Sequence, residues 1–137
     1  MTKLIKSTMT AAMCDAPGTP LILRNLPIPK PGSGQVLVRL DSCGICHSDL
    51  HLLDGDENLP QALYPLVLGH EGIGRVVKVG PDTPNAPSIG ARVGLPWLYD
   101  ACTNCKPCRT GAETFCMEQT VRGIQPVSYT HLRAHET

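Results

Sequence analysis

The sequence predicts a mostly β protein, on the strength of three observations. The 137 residues include 13 glycines and 13 prolines, which break helices and form turns. Short stretches of alternating apolar and polar residues recur, whereas runs with helical periodicity are few. Short strands joined at glycine corners are typical of a partly closed β-barrel. The length is enough for one domain with its own core and too short for two ordinary domains.

Turn residues separate the expected strands. These strands are predicted at residues 10–13, 20–26, 35–42, 73–79 and 91–95, after an irregular lead-in at residues 1–9. Residues 35–42 alternate most clearly, which places Val36, Val38 and Leu40 on the core face. Gly74 is expected to mark a bulge or a close backbone approach. Residues 46–53 predict one or two helical turns that end near Gly55.

Composition excludes two classes of partner. Twelve Lys and Arg balance twelve Asp and Glu, so no basic surface for nucleic acid is expected. The apolar runs are too short to cross a membrane, and the N-terminus lacks an apolar signal core. The seven cysteines, an odd number, fit a reducing compartment. The predicted location is the cytoplasm.

Four closely spaced cysteines predict a structural zinc site. Their spacing is C-x2-C-x2-C-x7-C, within a polar segment that has no apolar periodicity, and they are Cys102, Cys105, Cys108 and Cys116. Four thiolates close a tetrahedron around zinc and leave no position open for chemistry. The alternatives are a set of buried thiols or a small disulfide knot, of which the second would be strained at this spacing.

A second group of metal-binding residue types lies earlier in the chain: Cys43, Cys46, His47, Asp49, His51, His70 and Glu71. Cys46 follows one predicted strand and His70 precedes another, so a sheet can bring the two together. A catalytic zinc needs three protein ligands and an open position, and a ligating histidine needs an orienting carboxylate. On residue types alone, simple packing of these side chains is an equally good interpretation.

Three motifs carry a resemblance to a known family. They are CGICHSDLH at residues 43–51, GHEGIG at residues 69–74, and the four cysteines preceded by Trp97. In this order and at these separations they resemble the N-terminal GroES-like catalytic domain of the zinc-containing medium-chain alcohol dehydrogenases. The microbial tetrameric branch that oxidises small primary alcohols is the most similar. The resemblance covers residues 10–123.

The resemblance implies two zinc sites. Cys46, and not Cys43, matches the first catalytic ligand and His70 the second, while Glu71 matches an acidic residue that can move onto the metal. Asp49 matches the carboxylate that orients the histidine ligand. The four spaced cysteines match the ligands of the structural zinc.

The resemblance also implies a proton relay and a cofactor contact. Ser48 matches the hydroxyl that takes the alcohol proton, and His51 the imidazole that passes it to solvent, which an imidazole can do near neutral pH. His47 matches the residue that touches the cofactor pyrophosphate, and Trp97 a wall of the alcohol pocket. The simpler interpretations are a helix cap for Ser48, a solvated surface residue for His51 and a core aromatic for Trp97.

For the full-length protein, the resemblance implies oxidation of a small alcohol to an aldehyde or ketone. Zinc lowers the pKa of bound water to about 7 and stabilises a bound alkoxide in the same way. The hydride then passes to a nicotinamide cofactor, NAD by expectation. A homo-oligomer is implied. The sequence leaves open which alcohol is oxidised and whether NAD or NADP is used.

Three departures from the family pattern stand out. No Gly-x-Gly-x-x-Gly occurs, so the doubly wound dinucleotide-binding (Rossmann) domain is missing, as is the third catalytic ligand, a cysteine. Glu57 stands where a second pocket tryptophan is common. We therefore expect a fragment, inactive by itself. It consists of the catalytic domain at residues 10–125, with its zinc lobe at 97–117, and a non-native tail at 126–137. The tail resembles a translated cloning adapter and is not included in the predicted fold.

The tail also contains two histidines. His131 and His135 are four residues apart and would share a face if the segment were helical. A metal site there is a minor alternative.

A different class of function competes with the enzyme. The cysteine lobe, with Lys106 and Arg109, fits a non-enzymatic zinc-binding module that contacts nucleic acid or protein. Zero net charge and few aromatic residues argue against nucleic acid. A GroES-like barrel that acts only as a scaffold is a third interpretation, which rests on fold similarity alone.

Overall fold

A computed structural model of the chain describes residues 7–56 and 63–122 and the backbone strand at residues 131–133. Strands dominate it, which confirms the prediction of a mostly β fold. The strands are β1 (Thr8–Cys14), β2 (Ile22–Pro27), β3 (Gln35–Gly44), β4 (Leu66–Val67), β5 (Glu71–Val79), β6 (Arg92–Leu95), β7 (Leu98–Asp100), β8 (Thr120–Val121) and β9 (His131–Arg133). The helices are α1 (His47–Asp54) and the single turn α2 (Lys106–Arg109), followed by a 3₁₀ turn at Glu113–Phe115. Within these residues no helix has the length and apolar character needed to span a membrane.

The strands of the described residues form three antiparallel sheets. The sheet orders are β2-β1-β4, β6-β5-β3-β9 and β7-β8. The main core cluster lies on the four-stranded sheet and consists of Val36, Val38, Val76 and Leu95, each no more than 2% exposed. The valines come from the central strands β3 and β5, where the alternation of side chains turns one face inward.

Leu40 is an exception to the predicted alternation on β3. The sequence places it on the core face, but its side chain is 38% exposed, so this assignment is wrong. Irregularities between Leu37 and Val38 and between Leu40 and Ser42 shift the register against β5. Such bulges interrupt the alternation of faces. Leu40 instead lines a surface cavity together with His70.

Gly74 is a point of close backbone approach, as predicted. A Cβ atom at this position would lie 2.2 Å from the carbonyl oxygen of Arg39 on the neighbouring strand. Gly74 pairs with Leu40, next to the second register shift. The bulge therefore depends on the absence of a side chain here.

The short helix α1 is held at its C-terminal end by groups from three parts of the chain. Gly55 adopts the left-handed conformation, with φ of 85°, and its N–H donates to the carbonyl of His51. Tyr64 donates its hydroxyl proton to the carbonyl of Leu52 at 2.7 Å. The N–H of Gly18 donates to the carbonyl of Leu53, also at 2.7 Å. These contacts satisfy carbonyls that the last helical turn leaves without a partner.

Most predicted strand positions are confirmed, with two differences at the ends of the chain. β1 begins at Thr8, inside the expected lead-in of residues 1–9. β9 lies within residues 126–137, which sequence analysis excluded from the fold, and it pairs with residues 35–37 of β3. Pairing at an open sheet edge uses backbone groups that any extended segment supplies. The non-native origin of the tail therefore stays a prediction.

Candidate metal centres

The four spaced cysteines meet in a small lobe after β7. Cys105 caps the start of α2, Cys108 lies inside that turn, and Cys116 follows the 3₁₀ turn. Pro107 near the start of α2 suits a position whose N–H has no helical partner. Cys102, Cys105 and Ala101 pack around the two buried sulfurs. Short turns, rather than long elements, bring the sulfurs together.

The distances in this lobe fit a tetrahedral metal. All four sulfur atoms lie within 4.8 Å of one another. Two of the separations are 3.4 Å, between Cys105 and Cys108, and 3.9 Å, between Cys102 and Cys108. A zinc ion with sulfur ligands at about 2.3 Å requires sulfur separations of about 3.8 Å. All seven cysteines of the chain are free thiols, so no disulfide knot forms here.

Backbone groups already favour one thiolate. The N–H groups of Asn104 and Cys105 lower the pKa of Cys102 to about 7, with Asn104 the larger contribution. Burial instead raises the pKa of Cys108 to about 12. A cation would offset the second effect, because a thiolate at Cys108 otherwise lacks solvent.

The second candidate centre consists of Cys46, His70 and Glu71. Their potential ligand atoms lie within 4.8 Å of one another, although Cys46 and His70 are far apart in sequence. Cys46 lies between β3 and α1, and His70 immediately precedes β5. Antiparallel pairing of these strands sets Gly44 opposite Glu71, which brings the two segments together. His70 is buried, Cys46 half-buried and Glu71 exposed.

Asp49 organises this centre through three contacts. Its Oδ1 lies 3.2 Å from Nδ1 of His70 and accepts a hydrogen bond from the N–H of Gly69 at 2.9 Å. Its Oδ2 accepts a hydrogen bond from the N–H of Cys46 at 3.0 Å. With Nδ1 donating to this carboxylate, Nε2 of His70 is the nitrogen left for a metal. One buried carboxylate thus fixes both segments.

Gly44 leaves space for the carboxylate of Glu71. A Cβ atom at Gly44 would lie 2.2 Å from an Oε atom of Glu71. No role for this glycine is predicted from the sequence, although its place in the CGIC motif is a visible signal. Cys43 is exposed and does not join the cluster, which includes Cys46.

Of the two predicted relay residues, Ser48 lies beside Cys46 and His51 lies further along α1. The sulfur of Cys46 and Oγ of Ser48 are 3.8 Å apart. His51 lies one helical turn further on, with Nδ1 at 3.1 Å from the carboxylate of Asp56. Within the described residues, no hydrogen bond joins Ser48 to His51. Cys46, and not Ser48, is the N-cap of α1, so the simple capping role does not apply to Ser48.

Asp56 was missed by sequence analysis. The predicted end of the helix at Gly55 is the only signal that points to it, because a left-handed glycine turns the next residue back towards the last turn. The N–H of Asp56 donates to the carbonyl of His51 at 3.0 Å, which places its carboxylate beside the ring of that residue.

His47 and Trp97 also lie beside predicted site residues. The ring of His47 is exposed, and its centroid is 4.6 Å from that of His51. Trp97 is half-buried and meets the ring of His70 edge to face, with centroids 4.6 Å apart. Trp97 therefore contacts the candidate centre directly, unlike an ordinary core aromatic.

Two residues named in the sequence predictions lie outside the described residues. Glu57 and His135 are among the residues that the structure does not describe. His131 is the first residue of β9. His131 is therefore in a strand and not in a helix, and the proposed pairing with His135 lies outside the described residues.

The fold and the two clusters match one known family. Residues 32–135 match the family model described as "Alcohol dehydrogenase GroES-like domain". The chain belongs to this family. The match confirms the predicted GroES-like fold.

Individual relatives agree with this assignment. An alcohol dehydrogenase of Rhizobium meliloti (strain 1021) is 46% identical over 116 residues, which are 85% of this chain and 34% of that protein. One from Geobacillus stearothermophilus is 44% identical over 115 residues, which are 84% of this chain and 34% of that protein. The chain therefore spans about a third of the length of these curated relatives.

The fold is also shared with solved dehydrogenase structures. The acetophenone reductase from Geotrichum candidum, solved in complex with NAD, superposes with a TM-score of 0.78. It is 31% identical in sequence, and the alignment covers 97% of this chain and 40% of that one. The shared part therefore includes both sequence clusters.

Proposed function

We propose that this GroES-like domain is the catalytic part of a zinc-dependent alcohol dehydrogenase that oxidises a small alcohol to an aldehyde or ketone and transfers hydride to a nicotinamide cofactor. The observation that carries the proposal is the convergence of Cys46, His70 and Glu71 within 4.8 Å around a carboxylate-oriented imidazole. A mixed sulfur, nitrogen and oxygen donor set of this kind suits catalytic zinc.

Two zinc ions would have different tasks. The cage of four sulfurs would hold a structural ion, because protein atoms fill every position of its tetrahedron. Cys46 and His70 would hold the catalytic ion, with Glu71 as an exchangeable ligand. None of the described residues supplies the cysteine that the resemblance expects as a third ligand. When bound with an open position, zinc acts as a Lewis acid and makes an alcohol hydroxyl more acidic.

Ser48 is the residue best placed to accept a proton near this centre. Its hydroxyl lies 3.8 Å from the Cys46 sulfur and is half-buried, so it reaches the site without being fully solvated. His51 is 40% exposed and is held by Asp56, which suits a group that exchanges protons with water. Because no hydrogen bond joins these two residues, the step between them needs an intervening group, such as a cofactor hydroxyl or a water molecule.

His47 and Trp97 are proposed to contact the cofactor and the substrate. His47 is the first residue of α1 and is exposed, which suits a contact with a cofactor phosphate. Trp97 is proposed as a wall of a pocket for a small alcohol, since it lies against the ring of His70. We propose that the isolated chain is inactive, because no dinucleotide-binding fingerprint is present in the sequence.

The setting of the protein is also part of the proposal. Seven free thiols, five of them in the two candidate metal clusters, suit a reducing compartment, which supports a cytoplasmic location. A homo-oligomer is proposed for the full-length enzyme from the family resemblance alone.

Cobalt substitution tests the proposed catalytic centre. A chain loaded with two Co²⁺ ions should change its visible d–d spectrum when imidazole is added, because only the Cys46 and His70 centre has an open position. Cys108→Ser should keep this response and Cys46→Ser should lose it. A spectrum that stays unchanged in the unaltered chain would exclude an open metal site.

A further inference from the structure

A pair of histidines on α1 forms a cluster separate from both zinc centres. His47 and His51 are four residues apart on this helix, so they share one face. Their ring centroids are 4.6 Å apart, with an angle of 41° between the planes. Neither ring belongs to the two groups of potential metal ligands described above.

The carboxylate of Asp56 fixes the orientation of the His51 imidazole. Asp56 Oδ2 lies 3.1 Å from Nδ1 of His51, and the N–H groups of Gly55 and Asp56 both donate to the carbonyl of His51. A carboxylate on Nδ1 selects the tautomer in which Nε2 carries the free lone pair. This is the arrangement that commonly supports a metal-binding histidine.

The cluster is open to solvent. His47 is exposed, the side chain of His51 is 40% exposed and that of Asp56 is 63% exposed. A metal ion can therefore reach the two rings without a change in the fold, and water can complete its coordination.

We propose that His47 and His51 form a third, weaker site for a divalent metal such as Zn²⁺ or Ni²⁺, with Asp56 as a positioning residue. Two histidines spaced i, i+4 on one helical face are a recurring zinc-binding arrangement. Imidazole nitrogen favours Zn²⁺, Ni²⁺ and Cu²⁺ over Mg²⁺ and Ca²⁺, which prefer oxygen. With two protein ligands, the site should bind more weakly than the three- and four-ligand centres.

Occupancy of this site would inhibit the enzyme, a consequence that rests on the proposed function. His47 is the proposed cofactor contact and His51 the proposed proton exit, so a metal ion that bridges their rings blocks both. Excess zinc would then act as an inhibitor at a concentration above that needed to fill the two zinc centres. Metal binding itself can be measured without any turnover, which separates the two proposals.

Calorimetry with Ni²⁺ on the zinc-loaded chain tests the site. We expect one further equivalent of Ni²⁺ to bind. His47→Gln and His51→Gln should each lower the affinity for this equivalent by about 100-fold, because each removes the gain that a second ligand in the same molecule supplies. His131→Gln should have no effect. Retention of Ni²⁺ binding in both α1 variants, or its loss only in His131→Gln, would overturn the proposal.

Two further measurements exclude a general effect of substitution. Asp56→Asn should weaken Ni²⁺ binding by about tenfold, because it removes a carboxylate that orients a ligand. Asp54→Asn removes the same charge nearby and should leave Ni²⁺ binding unchanged. Paramagnetic Ni²⁺ should also broaden the ring proton signals of His47 and His51 in the unaltered chain before any others. Equal effects of the two aspartate variants, or earlier broadening elsewhere, would contradict the assignment.

Discussion

Oδ1 of Asp49 lies 3.2 Å from Nδ1 of His70, which links helix α1 to the start of strand β5. The same carboxylate accepts hydrogen bonds from the N–H groups of Cys46 and Gly69. Both partners are buried, with the side chains of His70 and Asp49 only 6% and 9% exposed. One side chain therefore sets the relative position of the two proposed zinc ligands.

Asp49→Asn tests this link. Replacing the carboxylate weakens its hydrogen bond to the imidazole, and we expect metal affinity at the Cys46 and His70 centre to fall by about 10- to 100-fold. Competition with a chromophoric chelator measures the change. Asp54→Asn, on the exposed side of the same helix, is the control and should bind as the unaltered chain does. Equal affinities in Asp49→Asn and Asp54→Asn would refute an orienting role.

Cys108→Ser should empty the sulfur cage alone. Zinc content should fall from two ions per chain to one, because a serine hydroxyl does not replace a buried thiolate as a zinc ligand. Metal binding in small zinc modules supplies on the order of 10 kcal/mol of folding free energy, so residues 102–116 should lose their protection from hydrogen exchange. Cys43→Ser, at an exposed thiol outside both clusters, should keep both ions. Loss of both ions from Cys108→Ser would show that the centres are not independent.

Gly74→Ala should destabilise the central strand pair. Its Cβ atom would lie 2.2 Å from the carbonyl oxygen of Arg39, so the two backbones must separate. We expect the free energy of unfolding to fall by about 1–3 kcal/mol, as in other overpacked sites. Gly94→Ala is the matched control on the next strand, where an added Cβ meets nothing within 4 Å, and it should change stability by no more than about 0.5 kcal/mol. Denaturant unfolding of the two variants compares them, and equal midpoints would contradict the close approach.

Tyr64 should ionise late in an alkaline titration. Burial, with a smaller contribution from Cys14, raises the pKa of its hydroxyl above the ordinary value of 10.0. The unfolded chain therefore loses the proton first, so this contribution to stability is complete below pH 10 and is lost as the pH rises further. Ultraviolet titration should show one tyrosine that ionises at a higher pH than the others, and this late phase should be absent in Tyr64→Phe. A titration curve that is unchanged in its late phase would contradict the buried hydroxyl.

Short motifs allowed the candidate site to be predicted from sequence. The capping pattern around Cys46, Ser48 and Asp49 and the glycines around His70 are local signals, and they mark where strands end. The sulfur spacing likewise fixes a compact lobe whatever the rest of the fold. Whether zinc occupies these clusters stays a prediction.

Other features could not be predicted because they depend on pairing between distant residues. The exposure of Leu40 results from the register shift against β5, which no local pattern reveals. β7 and β8 have three and two residues, too few for an alternation to be recognised. The contact of Asp56 with His51 depends on the left-handed conformation of Gly55. β9 forms at the edge of a sheet, where any extended segment can pair.

Trp97 is the only tryptophan of the chain and lies 4.6 Å, centroid to centroid, from the ring of His70. Its fluorescence therefore has a single origin, next to the imidazole that is proposed to bind metal. A change in intensity during metal loading that is absent in Cys46→Ser would report on that centre. The domain thus contains an intrinsic optical probe, so the filling of one centre can be followed without a label.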